Sequence, residues 1–142
     1  MATTYSNELE TVLNTTPATF ADGKVVGGRM RRYRATITLA THAIASVINL
    51  TRVPEGSVFA YGVINSSVSL GTATIKIGDE TTDDVYRALS TMTTANAPVM
   101  FGHSTGLAEG PIAAQKLVTL TTAVATLPAS GTLVVDLYFS QA

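Results

Sequence analysis

The chain has 142 residues, a formal net charge of -1, charged side chains at only 13% and no cysteine. That length fits one domain able to bury roughly 68–70% of its unfolded surface without staples. The near-neutral balance argues against a nucleic-acid binder, and the missing thiols exclude disulfides and thiolate metal sites. No apolar run reaches the roughly 18 residues of a membrane-spanning helix.

Residues 1–24 read as an N-terminal arm. The first eight carry neither a basic start nor an apolar core, so no signal peptide is expected and the product is expected to act without export. Leu9, Val12 and Leu13 give the arm its one apolar face, enough for a turn or two of helix. A polar stretch punctuated by Pro17 and the turn signal Ala21-Asp22-Gly23 follow. Such an arm is expected to order only when docked, with Leu9, Val12 and Leu13 as its contacts.

Residues 25–142 read as a single domain. Its first feature is Arg29-Met30-Arg31-Arg32-Tyr33-Arg34, which concentrates four of the nine basic residues. Edge protection and ion pairing to an acidic partner both explain such a cluster. Strand parity divides it. Arg32 and Arg34 share the outward face with Thr36 and Thr38, whereas Arg29 and Arg31 share parity with Tyr33 and Ile37. Burying two unpaired guanidiniums is very costly, so the strand is expected to begin near Arg32, or a bulge at Gly27-Gly28-Arg29 to re-aim them. Arg29 and Arg31 are then the residues best placed to reach a partner, either the Asp79–Asp84 loop of a neighbouring copy or another acidic surface.

Further strands are expected at 43–50 and, after the turn Val53-Pro54-Glu55-Gly56, at 58–64. Both are apolar on two faces, which marks a central strand or one covered by a neighbouring subunit. Ala73, Ile75 and Ile77 point inward from a strand that Gly78 is expected to end. Asp79-Glu80-Thr81-Thr82-Asp83-Asp84 is an acidic loop, and 85–89 is expected to form a helical turn capped by Asp83 or Asp84. A short apolar run at 99–101 leads into a glycine-rich loop at 102–111. Strands at 116–126 and 132–140, joined by Pro128-Ala129-Ser130-Gly131, are expected to form a hairpin. About eight short strands and no long amphipathic helix make the domain all-β, an antiparallel sandwich or barrel.

Motifs for chemistry are sparse. Gly102-His103-Ser104-Thr105-Gly106 matches a nucleophile elbow, but the sequence after it is a poor helix start and no histidine follows His103, so the chain is not expected to be an enzyme. His42 and His103 have no metal-ligand spacing, and the acidic loop does not match a calcium loop. No cofactor is expected. Asn14-Thr15-Thr16, Asn49-Leu50-Thr51 and Asn65-Ser66-Ser67 match the glycosylation pattern, which a threonine-rich chain produces by chance.

Segments of the body resemble the small jelly-roll proteins that decorate, or cement, the heads of tailed bacteriophages. The resemblance spans about residues 30–140. It is carried by residues 34–39, Val53-Pro54-Glu55-Gly56-Ser57, residues 62–78 and Asp84-Val85-Tyr86-Arg87-Ala88. It implies a jelly-roll-like antiparallel β-sandwich, usually a homotrimer, made in the host cytoplasm and bound to the outer capsid surface of the virion. There it would tie major capsid protein subunits together, with no active site, nucleic acid or membrane involved. The arm and Arg29, Arg31, Arg32 and Arg34 lie outside the shared pattern. The alternative is a receptor- or glycan-binding module of a fibre or spike, disfavoured by the absence of tryptophan.

Overall fold

Alternation of apolar and polar side chains is realised as eight strands in a computed structural model, which describes residues 4, 6–13, 16–17, 23–24 and 26–141. In chain order the elements are α1 (Asn7–Leu13), β1 (Arg29–Thr38), β2 (Val47–Val53), β3 (Val58–Ser66), β4 (Thr74–Asp79), β5 (Arg87–Thr91), β6 (Val99–Phe101), α2 (Ser104–Leu107), β7 (Lys116–Ala123) and β8 (Thr132–Gln141). They form two antiparallel four-stranded sheets, ordered β1-β8-β3-β6 and β2-β7-β4-β5. The pairings nest: β1 with β8, β2 with β7, β3 with β6 and β4 with β5. One long hairpin has in effect been rolled over itself, which is the jelly-roll-like arrangement. Residues 1–3, 5, 14–15 and 18–22 of the N-terminal arm lie outside the described residues.

The core lies between the sheets. Ile37, Ile64, Ile75, Ile77, Val118, Leu120, Leu133, Val135 and Leu137 supply its aliphatic layer. At one end Phe139 meets Tyr33, Phe59 and Tyr86 with ring centroids 5.4–5.9 Å apart. The two-sided apolar character of residues 58–64 follows from position, since β3 sits between β8 and β6. Rolling puts edge strands β1 and β2 on one side of the sandwich and edge strands β5 and β6 on the other.

Several expectations need correction. The strand expected at 43–50 is β2, displaced to Val47–Val53, because Thr41 and Ala45 take positive φ (54° and 63°) and break the extension. Gly78 does not end its strand; β4 runs through it to Asp79. A Cβ on Gly78 would stand 2.2 Å from the Thr82 carbonyl oxygen, so the acidic loop folds back directly over it. The helical turn expected at 85–89 is the start of β5. The Tyr86 N–H donates to the Ile77 carbonyl and the Arg87 guanidinium to the Ile75 carbonyl, committing the segment to β4. Finally, β7 ends at Ala123, Val124 takes a φ of 72°, and β7 and β8 lie in different sheets. The expected hairpin is therefore a crossover, because two strands that each bury an apolar face can do so from opposite sides of one core.

Candidate functional site

The basic segment begins β1, whose register against β8 runs unbroken from Arg29↔Gln141 to Thr38↔Thr132. The strand thus starts at Arg29, with no bulge, unlike either arrangement expected from the sequence. Arg29 and Arg31 do have inward parity, yet both are exposed. Burial along β1 begins only at Tyr33, although Phe139 and Ser140, the β8 partners of Arg31 and Met30, are buried, so the start of β1 is an exposed sheet edge. Arg29, Arg31 and Arg32 pair with no carboxylate among the described residues.

Arg34 behaves differently. Its Nε and Nη2 donate to Asp136 Oδ1 and Oδ2 at 2.8 and 2.9 Å, a bidentate fork across the β1–β8 pair. Hydrogen bonding to Arg34, helped by the charges of Arg34 and Arg32, holds the Asp136 carboxyl below the ordinary carboxylate range. Strand register extends this row to Val63 on β3 and Met100 on β6. A shallow cleft of about 290 Å³ opens over it, bounded by Arg34, Val63, Asn65, Pro98, Val134 and Asp136, and the buried Asn65 Oδ1 there has no hydrogen-bond partner among the described residues. One row along, opposite Arg32, Tyr138 stacks on Tyr61 at 4.6 Å and 13°.

The arm contacts lie on α1. Leu9 and Leu13 are 44% and 55% exposed and Val12 is half-buried. Closer to the body, the arm is fastened where Ser140 Oγ donates to the Lys24 carbonyl.

The acidic loop is largely satisfied within the chain. Asp79 Oδ1 accepts the N–H groups of Thr81 and Thr82, and Asp79 Oδ2 lies 2.9 Å from Lys116 Nζ, which also pairs with Glu109. Burial pushes the Asp79 carboxyl up, but those N–H donors and Lys116 outweigh it and the net direction is down. Asp83 pairs with Lys76 at 2.8 Å. Glu80 and Asp84 make no ion pair among the described residues, and no group of three metal-ligating side chains occurs among them.

The Gly102–Gly106 segment has a strand before it, β6, and its second half is itself part of a single helical turn, α2. The sequence did not point to that turn. Gly106 allows it to seat: a Cβ there would stand 2.5 Å from the Val85 carbonyl oxygen. His103 Nδ1 lies 3.1 Å from both the Asp84 carbonyl and Thr105 Oγ1, while Ser104 is exposed and bonds to neither histidine among the described residues.

Sequence reasoning missed Asp136, Arg87 and the β5/β6 side of the molecule. Asp136 was legible as an outward position, but its partner follows only from pairing the first strand with the last. Arg87 was hidden by the helical reading of its segment. It is buried, its Nη1 donates to the carbonyls of Ile75 and Ser90, and burial lowers its pKa.

No protein-family model and no curated protein matches the chain. Solved structures do. The chain superposes on one from the cyanophage Pam1 capsid asymmetric unit with a TM-score of 0.70 at 19% identity, covering 91% of this chain and 97% of that one. A chain of the capsid of Ralstonia phage GP4 matches with a TM-score of 0.67 at 19% identity, over 81% and 86%. One from the acidic stable capsid structure of Helicobacter pylori bacteriophage KHP30 gives 0.55 at 14%, over 79% and 87%. The fold of this chain is therefore one that occurs in phage capsids.

Proposed function

We propose that the chain is a non-enzymatic structural protein of a phage virion, seated on the outer surface of the head as a self-associated, trimeric unit that ties major capsid protein subunits together. The observation that carries the reading is the near end-to-end match, 91% of this chain against 97% of the other, to a chain of a phage capsid. Arg29, Arg31 and Arg32, exposed at a strand edge and without a carboxylate partner among the described residues, support an electrostatic contact with an acidic shell surface. Stacked Tyr61 and Tyr138 are the one feature favouring a glycan-binding module, but they face each other rather than an open platform.

The test is to add purified chain to heads assembled without it and measure what sediments. Saturable binding at a fixed ratio to the major capsid protein, weakened by salt, is the expected result. Heads that retain none of it would end the reading, and binding on a glycan array instead would favour the alternative.

A further inference from the structure

Three of the four sheet edges are blunted. β6 has only three residues, and the pairings of β2 with β7 and of β5 with β4 are each broken by a register shift, at Asn49/Thr51 and at Ile75/Ile77. Short strands and bulges are among the devices that keep an edge from adding a further strand. β1 is different. It has ten residues, no proline and an unbroken register on β8, and among the described residues no strand pairs with its other side. Its first four residues, Arg29 to Arg32, are all exposed, so this stretch is open on both faces. Its remaining protection is charge. By strand parity Arg29 and Arg31 stand on one face and Arg32 on the other, and none meets a carboxylate among the described residues, whereas the Arg34 guanidinium is held by Asp136.

We propose that the start of β1 takes an extended acidic segment of another protein as a fifth strand of its sheet. Two independent features specify that occupant. The open backbone N–H and C=O groups of an edge select extended chain, and three exposed guanidiniums select carboxylates on either face of it. A second copy of this chain does not supply such a segment. Its β1 carries the same positive charge, so like charges would meet across the pair. Its acidic runs are already folded: residues 8–10 lie in α1, and the Asp79–Asp84 loop is closed by the bonds from the Thr81 and Thr82 N–H groups to Asp79. Taking the segment from a shell protein rests on the virion role proposed above, whereas the addition of a strand rests on β1 alone.

The probe is a synthetic peptide alternating glutamate with threonine, added to the full chain at low salt. Its control is the same peptide N-methylated at every amide, which keeps the charge and loses every backbone donor. In an edge strand, amides that point away from the sheet exchange freely with solvent, while those bonded to the neighbouring strand are protected. The peptide is expected to slow the freely exchanging amides within residues 29–34 at least tenfold, and to bind at least tenfold more tightly than its N-methylated control. Arg29→Glu with Arg31→Glu should abolish both effects with the circular dichroism unchanged. Equal binding of the two peptides, binding without new protection in β1, or no binding would each overturn strand addition. Sedimentation with heads separates the two readings: a chain that sediments but adds no strand loses only the fifth strand, and a chain that adds the peptide but does not sediment keeps it and loses the virion role.

Discussion

Asp79 shows how one side chain holds together a segment of six mostly polar residues. Its carboxylate closes the loop onto the Thr81 and Thr82 N–H groups and pins β7 through Lys116. Its folded pKa is depressed, so its contribution is present above the unfolded value near pH 4 and is lost as the pH falls through the folded one. Asp136 behaves likewise. Lys116 runs the other way: its raised pKa keeps its contribution until the pH climbs past about 10.5. Stability measured by chemical denaturation should therefore be flat from neutrality into mild alkali and decline below about pH 4. Asp79→Asn should be less stable at pH 7 and show a shallower acid decline; an unchanged acid slope would remove Asp79 from this account. Gly78 is the steric counterpart. A Cβ at that position meets backbone of residues 82–84 at 2.2–2.6 Å, which no rotamer change relieves. Gly78→Ala should cost about 3 kcal/mol, read as a lowered denaturation midpoint.

Among the elements, β1 divides its labour along its length. It pairs with β8 throughout, but from Tyr33 onward it buries Ala35 and Ile37, and before that it is an exposed basic ribbon. Surface changes away from packing usually stay within about 0.5 kcal/mol. Arg29→Glu with Arg31→Glu should therefore leave the melting temperature nearly unchanged while reducing binding to heads at least tenfold, checked by co-sedimentation at low and moderate salt. Undiminished binding would show that this ribbon faces solvent. Within strands, side-chain alternation was readable from sequence: Ile75 and Ile77 on β4, with Ala73 just before it, and Leu133, Val135, Leu137 and Phe139 on β8, all point inward as the period-two pattern required. Segment ends were less readable, because they depend on backbone turns at Thr41, Ala45 and Val124, none of them a glycine that would announce positive φ. Residues 85–89 read as a helical turn because the bonds that commit them to β5 come from β4. The apolar stripe of the arm and the basic ribbon could be seen in the sequence as candidate contacts. The Arg34–Asp136 fork and the open side of β1 could not, since both follow only from the rolled topology.

For the whole molecule, nesting gives the two ends of the chain unequal weight. β8 pairs with both β1 and β3 and carries fully buried Leu133, Val135, Leu137 and Phe139, so the sandwich cannot close until the last strand arrives. Such long-range pairing places folding toward the slow end, milliseconds to seconds, for a domain of this size. The arm contributes differently. Burial of Leu9, Val12 and Leu13 stabilises by about 1.5–3 kcal/mol each, set against roughly 1–2 kcal/mol for each of the seven residues of α1 that must be ordered. A single docked arm is thus near balance, and several arms engaged at once on a shared surface are not. Deleting residues 1–24 removes, among the described contacts, the bond from Ser140 to the Lys24 carbonyl. The truncated chain should keep its β-rich circular dichroism and cooperative melt. It should also lose self-association by sedimentation velocity, and with it stable attachment to heads. A truncation that unfolds would show the arm to be part of the sandwich, and one that binds heads as tightly as the full chain would confine the arm to a role elsewhere. Removing residues 132–142 should, by contrast, abolish the cooperative melt outright.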